Sequence, residues 1–185
     1  TGGKWPTYFE DSLPPLLNIG PGSPTGMVAG TGAKFPAKYQ DAIYAFDWTF
    51  GTIHAIHLIP RGASYGATSE PFIQGSPLPV TDGIIGQDGN FYFLTGGRGT
   101  QSALYRVSYV GEESTEPGPG NDTEDAANAR TLRRQLEGFH GEEAITAVPT
   151  AWPILAKKDR FLRNAARVAI ESQPVSEWAE KVFSE

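Results

Sequence analysis

LPVTDGIIGQDGNFYFLTGGRGTQSALYRVSYV, residues 78–110, predicts three short strands joined by tight turns. Asp88 and Gly89 stand between the first two apolar runs, and Asp-Gly in that position is a strong hairpin signal because glycine adopts a positive φ without steric cost. A glycine-rich loop, 96–100, precedes the third run, in which side chains alternate between two faces. The stretch therefore predicts an antiparallel meander similar to a propeller blade that lacks its outermost strand.

A second set of runs with the same order lies upstream. SPTGMVAG at 23–30 matches PVTDGIIG at 79–86, and AIYAF at 42–46 matches NFYFL at 90–94. The offset of about 50 residues is the period of a four-stranded propeller blade. We predict a β + α fold class: a partial β-propeller of about two four-stranded antiparallel blades, 23–75 and 78–110, followed by a HEAT-like α-helical segment.

The second repeat has no fourth strand after Val110, which leaves an unpaired strand edge. We expect the rest of a propeller, or another protein chain, to cover this edge. The first residue is Thr1 rather than methionine, and we interpret the chain as a processed or partial segment of a longer protein. An extended segment, 1–22, precedes the repeats; its aromatics at 5, 8 and 9 are expected to pack on a neighbouring surface, and 15–19 could form an edge strand.

Composition restricts the partners and the chemistry. The net charge of −6 gives no electrostatic support for a nucleic-acid partner. No apolar run approaches the roughly 20 residues of a transmembrane helix, although peripheral membrane association stays open. The absence of cysteine removes disulfides, thiolate metal sites and iron–sulfur clusters.

The C-terminal third changes to a helical pattern. Residues 112–123 (EESTEPGPGNDT) predict a linker between a domain at 1–111 and a helical domain at 124–185. Apolar spacing predicts helices at 125–139, 142–155, 159–172 and 175–184, the second bent or broken near its two prolines. The third of these helices resembles the second helix of a HEAT-type repeat, with small residues that permit close helix packing.

Together, the segments at 23–58, 77–111 and 150–178 resemble the membrane-bound dehydrogenase family of Planctomycetes and Verrucomicrobia, from the end of its propeller into its HEAT-like segment. Members of that family are similar to quinoprotein sugar and sorbosone dehydrogenases. The resemblance implies export, to the periplasm or the extracellular space. For the intact parent protein it implies oxidation of a sugar or alcohol with pyrroloquinoline quinone (PQQ) and calcium.

For this chain alone we expect a binding or scaffold module within a larger exported protein or assembly, because two blades cannot enclose a cofactor. The alternative is part of a PQQ-dependent sugar or alcohol dehydrogenase. The sequence specifies neither a substrate nor a catalytic residue. His54 and His57 are three positions apart in a predicted strand and so point to opposite faces, which does not favour a joint metal site.

The resemblance implies that the inner strands line a channel and that Thr25, Gly26, Thr81 and Asp82 lie nearest any ligand. Asp82 is a candidate calcium ligand or a group that orients a substrate hydroxyl. Its alternative role is structural, as a carboxylate bonded to backbone amides at a strand start. Arg98, in the glycine loop, could pair with a cofactor carboxylate; the alternative is a solvated turn arginine. The candidate cofactor-binding residues are therefore Thr25, Asp82 and Arg98.

Overall fold

The computed structural model describes residues 12–184, which form two antiparallel sheets followed by helices. The first sheet has four strands in chain order: β1 (Pro24–Ala29), β2 (Ala42–Asp47), β3 (Thr52–Arg61) and β4 (Ser64–Gln74). The second has three, also in chain order: β5 (Val80–Ile85), β6 (Phe91–Gly97) and β7 (Thr100–Val107). The predicted combination of antiparallel sheets and helices is therefore observed, with no closed sheet among these residues.

The helices differ from the sequence prediction in two places: at 142–155, and at 175–184, where a 3-10 helix at Val175–Glu177 precedes a short α-helix. They are α1 (Ala37–Gln40), α2 (Glu124–Glu137), α3 (Ala147–Ala151), α4 (Arg160–Glu171) and α5 (Ala179–Ser184). The helix predicted at 142–155, bent or broken near its prolines, is shorter than expected. Only α3 forms there, and it continues as a 3-10 helix at Trp152–Ala156. Pro149 and Pro153 lack the amide hydrogens that a continuous α-helix requires.

The N-terminal segment contains no strand between residue 12 and β1. The edge strand suggested at 15–19 is therefore wrong; Pro14 and Pro15 cannot donate to a sheet ladder. The aromatics expected to pack on a neighbouring surface, Trp5, Tyr8 and Phe9, lie outside the described residues.

The chain divides into two compact units. The sheet unit contains residues 17–59 and 66–121. Of the described residues, the helical unit contains 12–16, Pro60–Tyr65, which covers the turn between β3 and β4 and the strand ends beside it, and 122–184.

An aromatic cluster joins the two sheets. Phe91 of β6 is fully buried, and its ring centroid lies 5.0 Å from that of Tyr44, 5.9 Å from Phe72 and 6.2 Å from Phe46. Glycine on the adjoining strand makes room for these rings, because a methyl group at Gly83 would lie 2.8 Å from Cζ of Phe46. The cluster therefore takes its aromatics from β2, β4 and β6, and the glycine on β5 leaves space for the ring of Phe46.

A buried carboxylate fixes the entry and exit of the first sheet. Asp47, at the end of β2, is 3% exposed, and its Oδ1 accepts hydrogen bonds from the amides of Ser23 and Thr49, each at 3.0 Å. A side chain at Gly22 would overlap this carboxylate, since its first carbon would lie 2.6 Å from Oδ2. Asp47 therefore holds the start of β1 against the turn that follows β2.

Residues 111–121 are held against the sheet unit. Gln40 is buried, and its Nε2 donates to the carbonyls of Phe35 (2.8 Å) and Thr115 (2.7 Å). Further along, Nδ2 of Asn121 donates to the carbonyl of Leu58 at 2.9 Å. Hydrogen bonds therefore anchor the predicted linker to the sheet unit, so it is not a free tether.

The helical unit is built on α2 and α4, which pack through buried alanines on α4 and Leu136 on α2. Asp159 caps α4, its Oδ1 accepting from the amides of Phe161 and Leu162. Its Oδ2 accepts from the amide of Ala63 at 2.8 Å, so the same carboxylate also holds the β3–β4 connection. Among residues 12–184, none of the helices has the length and apolarity needed to traverse a lipid bilayer.

Candidate functional site

The two sheets have the same register, including a bulge at the same point. In the first sheet Pro24 pairs with Asp47, the register shifts, and Gly26 pairs with Phe46. In the second, Val80 pairs with Thr95, the register shifts, and Asp82 pairs with Leu94. The neighbouring strand continues the correspondence, with Phe46 opposite Ile53 and Leu94 opposite Leu104. The paired residues of β1, β2 and β3 therefore have equivalents in β5, β6 and β7, while β4 has none.

Equivalent residues have opposite environments. Phe46 and Ile53 are both 0% exposed, because the second sheet covers them. Their equivalents Leu94 and Leu104 are 45% and 66% exposed. Ile84, the equivalent of the partly buried Val28, is 62% exposed. We call Ile84, Leu94 and Leu104 the outer face of the second sheet. These apolar side chains lie at the position where the first sheet receives its neighbour, and the same face also carries Asp82, opposite Leu94, and Arg106, opposite Tyr92.

The second sheet also ends at an unpaired edge. β7 is its terminal strand, and within 12–184 no strand adds to it after Val107. Residues that follow run instead toward Gln40 and Leu58. The outer face and the edge therefore lie on the same sheet.

A cleft of about 640 Å³ opens beside β1 and the β6–β7 loop of the sheet unit. Its lining residues are Ser23, Thr25, Trp48, Thr81, Leu94, Thr95, Gly96, Gly97, Arg98 and Ser102. Two of the three predicted ligand-binding residues, Thr25 and Arg98, thus share one cleft.

Arg98 is held over an aromatic ring. It has a positive φ of 49°, and its guanidinium carbon lies 5.0 Å from the centre of the Trp48 ring system. Trp48 is itself fixed, because its Nε1 donates to the carbonyl of Gly96 at 2.9 Å. Sequence reasoning did not include Trp48, since nothing in the local pattern after β2 signals contact with a loop some 50 residues later.

Hydroxyl groups line the rest of the cleft. Thr25 Oγ1 donates to the carbonyl of Val80 at 2.9 Å and retains its acceptor lone pairs. Ser23 Oγ accepts from Thr49 Oγ1 at 2.8 Å and retains its hydrogen. Ser102 Oγ has no hydrogen-bond partner within the described part of the chain. The cleft therefore offers both donors and acceptors.

Asp82 does not line this cleft. It is exposed on β5, and its Oδ1 accepts from the amide of Gly83 at 2.8 Å. A methyl group at Gly26 would lie 3.5 Å from the same oxygen, so the carboxylate lies beside β1. This geometry corresponds to the structural alternative, a carboxylate bonded to a backbone amide near the strand start.

The two strand histidines do not form a shared site. His57 Nε2 lies 3.0 Å from Oε1 of Glu70, and its Nδ1 lies 3.1 Å from the carbonyl oxygen of Lys38. The hydrogen bond from His57, followed by that from Lys38, lowers the pKa of the Glu70 carboxyl. Over residues 12–184, no group of three or more His, Cys, Asp or Glu side chains is arranged to hold a metal ion.

Comparison of the chain with protein-family models, with curated proteins and with solved structures finds no match in any of the three.

Proposed function

We propose that this chain is a binding and scaffold module of a larger exported protein or assembly, and that it docks through the outer face of the second sheet. The occupant we propose is a further antiparallel sheet of the same repeat. The observation that carries the proposal is the equivalence of Leu94 and Leu104 to the fully buried Phe46 and Ile53.

The chemistry of the occupant follows from how the two present sheets pack. The first sheet buries its Phe46–Ile53 face against Phe91 and neighbouring aromatics of the second. A third sheet would present similar aromatics to Leu94 and Leu104. Each apolar side chain that such packing buries fully would contribute about 1.5–3 kcal/mol. The free edge of β7 would add backbone hydrogen bonds if a strand of the partner lay beside it.

We also propose that the two sheets are part of a β-propeller and that the chain is related to the Planctomycetes and Verrucomicrobia dehydrogenase family. Its support is the matched register of two face-packed antiparallel sheets, which a third equal sheet would continue. The small-residue packing of α4 on α2 supports the HEAT-like part. The enzymatic alternative would place Thr25, Asp82 and Arg98 on one ligand, whereas Asp82 lies off the cleft that the other two share.

Leu104→Asp tests the proposal by its effect in two settings. In the isolated 185-residue chain the residue is exposed, and we expect the free energy of unfolding to change by less than about 0.5 kcal/mol. In the intact protein or assembly the same carboxylate would be buried without a partner, and we expect a loss of about 2 kcal/mol or more. Thermal and urea unfolding of both preparations measure the difference.

Ile145→Asp is the matched control, because Ile145 is an equally apolar, exposed residue of the helical unit. We expect this substitution to leave the free energy of unfolding unchanged both in the isolated chain and in the intact protein. Equal tolerance of Leu104→Asp in the intact protein would exclude docking at the outer face. A large loss in the isolated chain would show that Leu104 belongs to the chain's own core.

A further inference from the structure

We propose that the cleft beside Arg98 binds a small hydroxy-carboxylate of the sugar-acid class. The ligand's carboxylate would pair with the guanidinium of Arg98, and its hydroxyls with the serine and threonine side chains of the cleft. The cleft and the outer face share Leu94, so the inference is tested on the 185-residue chain alone, in which no further sheet is present.

The charge of the cleft favours an anion. Arg98 is the only charged side chain among the residues that line it. No carboxylate of residues 12–184 forms an ion pair with Arg98, although the chain as a whole carries a net charge of −6. The cleft therefore carries one positive charge that no carboxylate of the described residues neutralises. An anionic ligand would complement that charge.

The arginine is preorganised for a planar anion. The Trp48 ring flanks the guanidinium, whose carbon lies 5.0 Å from the ring centre, and no residue among 12–184 is hydrogen-bonded to the N–H groups of Arg98. The hydrogen bond from Trp48 to Gly96 ties the ring to the loop that carries Arg98. A carboxylate matches the guanidinium edge with two parallel hydrogen bonds, whereas a lysine in the same place would supply only a point charge.

The hydroxyls extend recognition beyond the carboxylate. Thr25 and Ser23 use only part of their hydrogen-bonding capacity, and Ser102 uses none within the described chain. A polyhydroxylated ligand would satisfy these groups, while a simple anion would leave them to water. The cleft is shallow and open to solvent, and its volume of about 640 Å³ leaves room for a sugar acid with its bridging waters.

The test is a titration of the ¹⁵N-labelled 185-residue chain with D-glucuronate, followed by NMR at constant ionic strength. We expect saturable shifts of the Trp48 indole N–H and of the loop amides at 96–100, with a dissociation constant on the order of 1 mM, as befits one charged pair in an open cleft. D-Glucose, which lacks the carboxylate, and inorganic phosphate, which lacks the polyol, are each expected to bind at least about tenfold more weakly.

Arg98→Lys keeps the charge but removes the two-pronged geometry, and we expect it to weaken glucuronate binding about tenfold. Arg61→Lys, an exposed arginine that does not line the cleft, is the matched control and should leave the affinity unchanged. Ser102→Ala, a second variant, should weaken binding about threefold through loss of one hydroxyl.

Several outcomes would overturn the assignment. Unshifted spectra at about 20 mM glucuronate would show that the cleft does not bind sugar acids. Equal binding of glucose would remove the role of the carboxylate, and equal binding of phosphate would reduce the cleft to a general anion site. Full affinity in Arg98→Lys would show that the guanidinium geometry is not what recognises the ligand.

Discussion

Phe91→Ala is expected to lower the free energy of unfolding of the sheet unit by about 3–5 kcal/mol. Phe91 is 0% exposed and contacts three rings of the first sheet, Tyr44, Phe46 and Phe72, as well as Phe93 of its own sheet. Removing its ring takes away the apolar burial and leaves a cavity that the surrounding strands cannot fill, since their positions are fixed by hydrogen-bonded pairing. Such a loss is a large fraction of the stability of a typical domain.

Urea unfolding followed by tryptophan fluorescence and circular dichroism measures this loss. Leu94→Ala is the matched control: Leu94 lies three positions along the same strand but on the outer face. Its removal from the isolated chain is expected to cost less than about 1 kcal/mol. Similar losses in the two variants would contradict an aromatic interface between the sheets.

Asp47→Ala is expected to cost about 2–4 kcal/mol, because it leaves two backbone amides without their acceptor. Those amides belong to Ser23 and Thr49, on opposite sides of the buried carboxylate. Without Asp47, the start of β1 loses its connection to the turn after β2. We therefore expect hydrogen exchange to increase at β1 and at residues 48–50, beyond the general loss of stability.

Two variants calibrate the Asp47 result. Asp47→Asn retains one side-chain oxygen acceptor and should lose clearly less stability than alanine. Asp41→Ala, at an exposed position just before β2, should be within about 0.5 kcal/mol of the unchanged chain. A loss in Asp47→Ala no greater than in Asp41→Ala would mean that the two hydrogen bonds contribute nothing net.

The strands of the second sheet were predictable because their signals are local. Asp88 accepts from the amide and side chain of Asn90 and from the hydroxyl of Tyr92, so the Asp-Gly turn is closed by residues within four positions. These bonds, led by that from Asn90, lower the pKa of Asp88 to about 2. Alternation along each strand then sets its register.

Features that depend on distant contacts were not predictable. Trp48 meets the glycine loop only because the two sheets pack together. Asp159 was placed at a helix start from sequence, but its bond to Ala63 joins residues 96 positions apart. The anchoring of 111–121 likewise depends on Gln40, a polar residue whose burial no local pattern indicates.

The outer face is a further feature that the sequence pattern could not define. Alternation in β7 shows two faces, and both carry large apolar side chains, so the pattern alone cannot say which one is covered. Comparison of registers resolves this, because Leu104 is equivalent to the buried Ile53 and yet is exposed. The structural repeat thus identifies an interaction surface that the sequence pattern leaves undefined.

The most direct measurement places a photo-activatable cross-linker, p-benzoylphenylalanine, at Leu104 of the intact protein and maps the adduct by mass spectrometry. We predict an adduct on a strand of a further antiparallel sheet that lies outside these 185 residues, and its loss when Leu94→Asp is added. The same probe at Ile145 should give no such adduct. The absence of an adduct at Leu104, or adducts confined to this chain or to a segment without strand alternation, would contradict the proposed docking of a third sheet.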